Sequence, residues 1–335
     1  MTNSSLSYAL KCVAAGVCAV ALAGCGSSDQ ASTDGVLEEA MSDTNSVAYI
    51  QSEAQAALVS KDWAAAIRAY NRLAFDETLP AEVQSIGWTG RGLVDYSRLA
   101  DPNAPGELAD TARAAFMHAV RLDRRNPTAL YHLGMLYRDN YAFFQAALEQ
   151  FEKYAVVMKG SDDPHVAMVE GWISKLKAEI AARHAELPGA DRRNPSACAA
   201  ALKRGDALFA KKLYTKARFA YDSALKEDPL CYDAAVRLAE CWEKTDRTKY
   251  GRQQALKAYN HASSLRTYAS TLLAGATLAE KLDSRAVATS LYSKAVAASP
   301  TNMAAIDGLV RTLKKNGENQ AAQAYIRYRN SIPRK

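Results

Sequence analysis

The feature that most constrains this chain is a short pattern that recurs along it: alanine, then an aromatic residue four positions later, then a small or apolar residue three positions after that. The clearest copy is Ala217, Tyr221 and Ala224, whose spacing places the three side chains on one face of a helix. The other copies are Ala66/Tyr70/Leu73, Ala112/Phe116/Ala119, Ala147/Phe151/Tyr154, Ala255/Tyr259/Ala262, Ala288/Tyr292/Ala295 and a degenerate Ala322/Ile326/Arg329. Repetition at this level decides the fold more strongly than any local pattern.

A second helix precedes each copy of the pattern. In residues 194–229, Ala201, Gly205 and Leu208 repeat the same rhythm, and Lys211-Lys212 mark a polar turn before the next helix begins. The unit is therefore a helical hairpin. Small residues let the two backbones approach while an aromatic residue fills the wider gap opposite, and one hairpin buries its apolar face only when a neighbour stacks on it.

The spacing of the copies indicates a repeat family. Successive leading alanines are separated by 46, 35, 70, 38, 33 and 34 residues, about one or two multiples of a roughly 34-residue period, with insertions. The chain resembles the tetratricopeptide repeat (TPR) family, and Leu130, Leu133, Gly134 and Tyr137 match its first-helix pattern. The resemblance implies an all-α, TPR-like α-solenoid of antiparallel helix hairpins that forms a right-handed superhelix with a concave groove.

The repeats suggest how the chain is divided. Residues 46–184 are predicted to form an N-terminal TPR-like solenoid, 185–195 a linker, and 196–330 a C-terminal TPR-like solenoid. Residues 163–184 take the place of a repeat without carrying its signature, so we expect one long packing helix there. For residues Gly87–Gly92, a phosphate-binding loop is the alternative to a helix. Two observations are against it: no strand precedes these residues, and small residues also suit tight helix contacts.

The first residues have a different character. Lys11 precedes an apolar run from Cys12 to Ala23, which is too short to span a bilayer as a helix but suits the core of a signal peptide. Leu22-Ala23-Gly24-Cys25 resembles a bacterial lipobox. The resemblance implies a lipoprotein signal peptide over residues 1–24, and Cys25 as the lipidation site with a diacylglycerol and an N-acyl chain. An ordinary secretory signal or a short core helix is the alternative.

The polar segment that follows predicts how the protein is held at a membrane. Residues 25–45 read as a flexible tether, because their Ser-, Asp- and Thr-rich start buries too little apolar surface to fold. Gly26 after the cysteine resembles the outer-membrane address of enterobacterial lipoproteins. We therefore expect a lipid-anchored protein of the cell envelope, on the outer membrane facing the periplasm in a Gram-negative host.

Cysteine usage and charge exclude several functions. Three cysteines follow Cys25, and this odd number argues against a disulfide framework. Cys198 and Cys231 begin successive hairpins. We therefore expect their backbones to lie about 10 Å apart, which is too far for a disulfide bond. The net charge of +6 is modest. It favours an anionic membrane surface or an acidic partner slightly, and no basic stripe interleaved with aromatics suggests nucleic-acid binding.

The sequence gives no indication of catalysis. The five histidines are scattered, and the sequence contains no His-Glu-x-x-His, Cys-x-x-Cys or Gly-x-Ser-x-Gly motif. We therefore predict that the protein is not an enzyme and needs no cofactor or metal.

The groove is where the resemblance locates function. In the TPR family, the first helix of each hairpin supplies the ligand-facing side chains. The corresponding residues here are Tyr131, Met135, Arg138, Leu202, Asp206, Phe209, Val236, Glu240, Glu243, Asp307, Arg311 and Lys314. Their mixture of aromatic, apolar and charged groups suits a protein or peptide segment. A purely structural role is the alternative for any one of them.

Together these features predict a membrane-anchored scaffold that recruits proteins in a cell-envelope assembly of the pilus or secretion type. An adaptor that regulates cell-wall enzymes or polysaccharide export is the alternative. The sequence does not predict the oligomeric state.

Overall fold

The computed structural model describes residues 46–186, 191 and 193–332. The predicted signal peptide, the lipidation site Cys25 and the tether lie outside the described residues. Within them the chain forms fifteen α-helices and no strand. None of these helices combines the length and the apolar character needed to cross a membrane.

The helices follow one another with short turns. The first seven are α1 (Val47–Val59), α2 (Trp63–Ala74), α3 (Ala81–Arg98), α4 (Glu107–Leu122), α5 (Pro127–Asp139), α6 (Phe144–Val157) and α7 (Pro164–Ala185). The other eight are α8 (Pro195–Ala210), α9 (Tyr214–Glu227), α10 (Tyr232–Thr245), α11 (Lys249–Leu265), α12 (Ala269–Lys281), α13 (Arg285–Ala298), α14 (Met303–Asn316) and α15 (Asn319–Asn330).

The described helices pack as a series of hairpins. Helix α3 packs on α4, α8 on α9, α10 on α11, and α12 on α13, and each of these hairpins also contacts the helix that follows it or precedes it. Contact with the nearest neighbours in sequence is the defining property of a solenoid. The predicted all-α solenoid of antiparallel hairpins is therefore confirmed.

The described residues divide into two units. Unit 1 contains residues 46–142 and 149–170, and unit 2 contains residues 143–148 and 171–332. Helices α6 and α7 are each shared between the units. The predicted linker at residues 185–195, several of which lie outside the described residues, stays a prediction.

The repeated pattern is buried in the hairpin seams. In the first six copies every alanine and every aromatic residue is at most 4% exposed, including Tyr70, Phe116 and Tyr221. The glycines explain why small residues face these rings: a Cβ on Gly205 would lie 2.5 Å from the ring of Tyr221, and one on Gly134 would lie 2.6 Å from that of Phe151. The small residue therefore sets how closely the two helices approach.

The seventh copy of the pattern was predicted in the wrong register. Ile326 and Arg329 are only half-buried, whereas Tyr325 and Tyr328 are buried behind Ala321. The copy is therefore Ala321/Tyr325/Tyr328. The physical cause is the turn. Helix α14 ends at Asn316, its C-cap Gly317 is in the left-handed conformation, and only Gly317 and Glu318 separate it from α15. Three residues separate α12 from α13, so α15 enters its seam one residue early.

Two helices begin with the same dipeptide, Asn-Pro. The side chain of Asn126 accepts a hydrogen bond from the Ala129 amide at 2.9 Å, and that of Asn194 accepts one from the Ala197 amide at 3.1 Å. Each asparagine is the N-cap and each proline occupies the start of the helix, where its missing amide hydrogen is not needed.

The side chains of Cys198 and Cys231 belong to one packed group, although the two cysteines are not bridged. Cys231 is the N-cap of α10 and packs against the cluster that contains Cys198, in the first turn of α8. The two first helices of neighbouring hairpins are in contact here, so residues near their N-termini meet although their helix axes are separated.

Candidate functional site

The predicted partner-binding residues of unit 2 lie on three of its first helices, α8, α10 and α14. Spacings of four and three residues place each set on one face of its helix. Exposed among them are Asp206, Arg311 and Lys314, and half-buried are Leu202, Phe209, Val236, Glu240, Glu243 and Asp307. All nine side chains are therefore at least partly accessible to solvent. We call this surface of α8, α10, α12 and α14 the first-helix face.

The three predicted residues of unit 1 are placed differently. Tyr131 is 4% exposed and Met135 is 8% exposed. The ring of Tyr131 packs edge-on against that of Phe151, with centroids 6.5 Å apart. Arg138 is partly exposed and forms an ion pair with Asp139 at 2.6 Å. Tyr131 and Met135 thus offer little surface to a partner, and the role predicted for the three stays a prediction.

A row of tyrosine–carboxylate pairs runs along the first-helix face. In each pair a tyrosine of the repeated pattern, on a second helix, donates its hydroxyl hydrogen to an acidic residue on the first helix of the same hairpin. The pairs are Tyr221 with Asp206 at 2.8 Å, Tyr259 with Glu243 at 2.7 Å, and Tyr292 with Glu280 at 3.0 Å. Burial, together with the neighbouring carboxylate, raises the pKa of the Tyr221 and Tyr259 hydroxyls, so both remain protonated donors.

Sequence reasoning missed Glu280. It is the twelfth residue of α12, just as Glu243 is the twelfth residue of α10, so carrying the hairpin register to α12 would have found it. Glu280 also receives hydrogen bonds from Arg311 at 3.0 Å and from Lys315 at 3.0 Å. These bonds, that from Arg311 foremost, lower the pKa of Glu280 to about 2. The carboxylate is therefore ionised and links α12 to α14 across the face.

Cations from α10 cover the aromatic residue of α8. The guanidinium of Arg237 lies 5.0 Å from the ring centroid of Phe209, and the ammonium of Lys244 lies 6.0 Å from it. Arg237 also forms an ion pair with Glu240 at 2.8 Å. Positive and negative groups therefore alternate along the first-helix face, with an aromatic ring between them.

This arrangement suits recognition of a surface. Among the described residues no group of histidine, cysteine, aspartate and glutamate side chains could hold a metal ion. The carboxylates of the face are held by tyrosine hydroxyls, and that of Glu280 also by cations, which fixes their positions. Fixed charges beside half-buried apolar groups are what binds a protein segment with a matching pattern.

The second helices of unit 2 carry a separate exposed aromatic group. Phe219, on α9, is 65% exposed. Beside it, the guanidinium of Arg218 lies 3.9 Å from the ring centroid of Trp242. Phe219 and Arg218 line a depression of about 370 Å³ to which α9, α10 and α11 contribute. Phe219 itself lies on the second helix α9 and provides a reference position for tests of the first-helix face.

The class of fold follows from the helix contacts: the described residues form stacked helical hairpins. Comparison with known proteins adds only distant likenesses. No family model matches the chain, and no curated protein matches it.

Three solved structures illustrate the likeness. The MamA protein is 17% identical, with a TM-score of 0.35 over 61% of this chain and 89% of that one. A complex of pHSP90 with the TPR2AB domain of yeast Sti1 is 14% identical, with a TM-score of 0.30 over 89% and 98%. The C-terminal part of a TPR repeat-containing protein from Cytophaga hutchinsonii is 17% identical, with a TM-score of 0.30 over 76% and 98%. Likenesses this distant support no inference about partner or activity.

Proposed function

We propose that the protein is a non-enzymatic scaffold that binds segments of other proteins on the first-helix face of unit 2. The observation that carries the proposal is the row of carboxylates at Asp206, Glu243 and Glu280, each held by a tyrosine hydroxyl on a solvent-accessible face. Because these groups are held before any partner arrives, binding orders few additional side chains, which favours affinity.

The chemistry of the face restricts the partner. Phe209, Leu202 and Val236 supply apolar contacts, and the charged groups between them have both signs. A peptide or protein segment with alternating apolar and charged residues matches this pattern better than a small anion does. Such a segment binds through many moderate contacts, so the effect of removing one of them is modest.

The proposed setting is the cell envelope. Its basis is the lipobox-like Leu22-Ala23-Gly24-Cys25, from which we infer acyl chains on Cys25. The proposed role of the anchored protein is that of a scaffold in a pilus- or secretion-type assembly. Two or three acyl chains anchor a protein far more firmly than one, at about 0.8 kcal/mol for each buried CH₂ group. In a Gram-negative host the proposed site is the outer membrane, facing the periplasm.

The binding face is tested by reversing its charge. The change Glu240→Lys with Glu243→Lys reverses two charges of the face and removes the acceptor of the Tyr259 hydroxyl, so its folding is checked by circular dichroism. Asp222→Lys on the second helix α9 is the matched control. After cross-linking in intact cells, we expect the double variant to recover its envelope partners at least about tenfold less well, corresponding to about 1.4 kcal/mol. Equal recovery by the double variant and the control would contradict the proposal.

The anchor is tested separately. Replacing Cys25 by serine removes the sulfur that carries the diacylglycerol, and we expect the protein to leave the membrane fraction while the helical content measured by circular dichroism is unchanged. Retention of the serine variant in the membrane fraction would contradict lipidation at Cys25 without affecting the binding face.

A further inference from the structure

Two of the three cysteines of unit 2 are neighbours. Cys198 is buried in the first turn of α8, and Cys231, the N-cap of α10, is half-buried and packs against it. The residues packed with them are apolar: Ala201, Ala224, Ala234, Leu202 and Leu225.

A charged pair lies beside the thiols. The guanidinium of Arg193 donates to both carboxylate oxygens of Asp228, at 2.7 and 2.9 Å. Arg193 is close enough to both cysteines that a negative charge on either sulfur would raise the pKa of its guanidinium. Burial, followed by the contact with Cys231, raises the pKa of Cys198 to about 12, whereas the charge of Arg193 acts in the opposite direction. Cys198 is therefore a protonated, buried thiol next to a partly accessible one.

The third cysteine has a different environment. Cys241 is fully buried on α10 against Ala217 and Tyr221. Burial raises its pKa to about 11. It packs as a small apolar side chain and provides an internal reference for the other two.

We propose that Cys198 and Cys231 are a redox site that forms a reversible disulfide between α8 and α10. The oxidant is a small-molecule or protein disulfide. The Cys231 thiol loses its proton and attacks one sulfur of the oxidant, which releases one thiol and leaves a mixed disulfide on Cys231. The Cys198 sulfur then loses its proton and attacks the Cys231 sulfur, which releases the second thiol. Two electrons pass from the cysteines to the oxidant.

The disulfide would act on the first-helix face. Helix α8 carries Leu202, Asp206 and Phe209, and α10 carries Val236, Glu240 and Glu243. A bond between the N-terminal ends of these helices fixes their spacing, and it closes a loop of about 34 residues in the unfolded chain, which stabilises the folded state. This site is independent of what the face binds.

The experiment is peptide mapping of the full-length protein. After incubation with oxidised glutathione, the protein is denatured, its remaining thiols are alkylated, and it is digested with trypsin. Each cysteine lies in its own expected peptide: Cys198 in 194–203, Cys231 in 227–237 and Cys241 in 238–244. We expect 194–203 disulfide-linked to 227–237, with 238–244 alkylated, and full alkylation of all three after reduction. Alkylation of all three in the oxidised sample, or a bond to Cys241, would overturn the proposal.

Two variants separate a redox site from mere proximity. Cys198→Ser is expected to trap the mixed disulfide, so that 227–237 carries glutathione, and Cys241→Ser is expected to leave the cross-link intact. Oxidation should raise the unfolding temperature of the Cys241→Ser variant and of the unmodified protein by roughly 5 °C or more. The same rise in the Cys198→Ser variant would contradict the cross-link as its cause.

Discussion

Units 1 and 2 are built from the same hairpin but treat their polar groups in opposite ways. In unit 1 the polar groups are buried between helices: Asn126 donates to Ser85 and Thr89, both at 2.9 Å, and all three side chains are at most 7% exposed. In unit 2 the notable polar groups are tyrosine–carboxylate pairs on the first-helix face, such as Tyr259 with Glu243. The Asn126 network of unit 1 therefore joins helices inside the packed hairpins, whereas these pairs of unit 2 lie on a face that reaches solvent.

The buried arginine of unit 1 shows the same tendency. Arg113 is fully buried on α4 and forms an ion pair with Asp110 at 2.6 Å, and the hydroxyl of Tyr141 donates to the same carboxylate at 2.8 Å. Buried polar networks specify one packing arrangement strongly and are costly to disturb. The repeat pattern thus sets the spacing of the helices, while the residues outside the pattern determine where the polar groups of each unit lie.

The largest expected effect comes from closing a helix contact in unit 1. A Cβ on Gly87 would lie 2.4 Å from the backbone nitrogen of Ala74, whereas the nearest atoms to a Cβ on Gly275 of unit 2 are 3.4 Å away. We expect Gly87→Ala to lower the free energy of unfolding by about 3 kcal/mol or more, and Gly275→Ala to be neutral or slightly stabilising. Urea denaturation measures both, and equal effects would contradict this contact difference.

The two Asn-Pro helix starts provide the next test. Asn194→Ala removes only an N-cap and should cost about 1 kcal/mol. Asn126→Ala also leaves the buried hydroxyls of Ser85 and Thr89 without this donor, and should cost about 3 kcal/mol. The two variants are compared by chemical denaturation. An equal loss would show that the buried network of unit 1 contributes nothing beyond capping.

Acid should destabilise unit 1 before unit 2. Burial lowers the pKa of His132 to about 3, and burial with nearby Arg121 and Arg91 lowers that of His118 to about 3. Because an unfolded histidine binds a proton near pH 6.5, stability is complete above that pH and falls below it, by about 2 kcal/mol per histidine at pH 5.

His132→Leu tests this directly. The ring of His132 stacks on that of Phe116, with centroids 5.6 Å apart, so an apolar replacement keeps the packing. Denaturation at pH 7 and pH 5 should show that the variant loses about 2 kcal/mol less than the unmodified protein. An unchanged pH dependence would exclude His132 as its source.

The smallest effect is expected on the first-helix face. Replacing Glu280 by glutamine removes a half-buried carboxylate whose two cationic partners, Arg311 and Lys315, are exposed, and should cost about 1 kcal/mol, decreasing with salt. Since the folded-state pKa is lowered from 4.5 to about 2, this contribution is present above about pH 4.5 and is lost as the pH falls towards 2. Denaturation between pH 7 and 5 should therefore change equally in variant and unmodified protein.

Sequence reasoning was most successful where one residue type has one geometric role. The alanine–aromatic pattern predicted the hairpin seams, because small and aromatic residues restrict the spacing of two packed helices directly. The register of the last hairpin failed because it depends on a turn shortened by one residue at Gly317. The burial of Tyr131 and the contact of Cys198 with Cys231 depend on neighbouring helices, which periodicity along one helix does not describe.

The central claim is that the first-helix face of unit 2 is the surface that binds protein partners. It is tested most directly by site-specific photo-cross-linking in intact cells, with a photoreactive phenylalanine analogue placed once at Phe209 on the face and once at Phe219 on a second helix. The account predicts discrete cross-links to the same envelope protein from Phe209 and none from Phe219. Cross-links from Phe219 alone would contradict it.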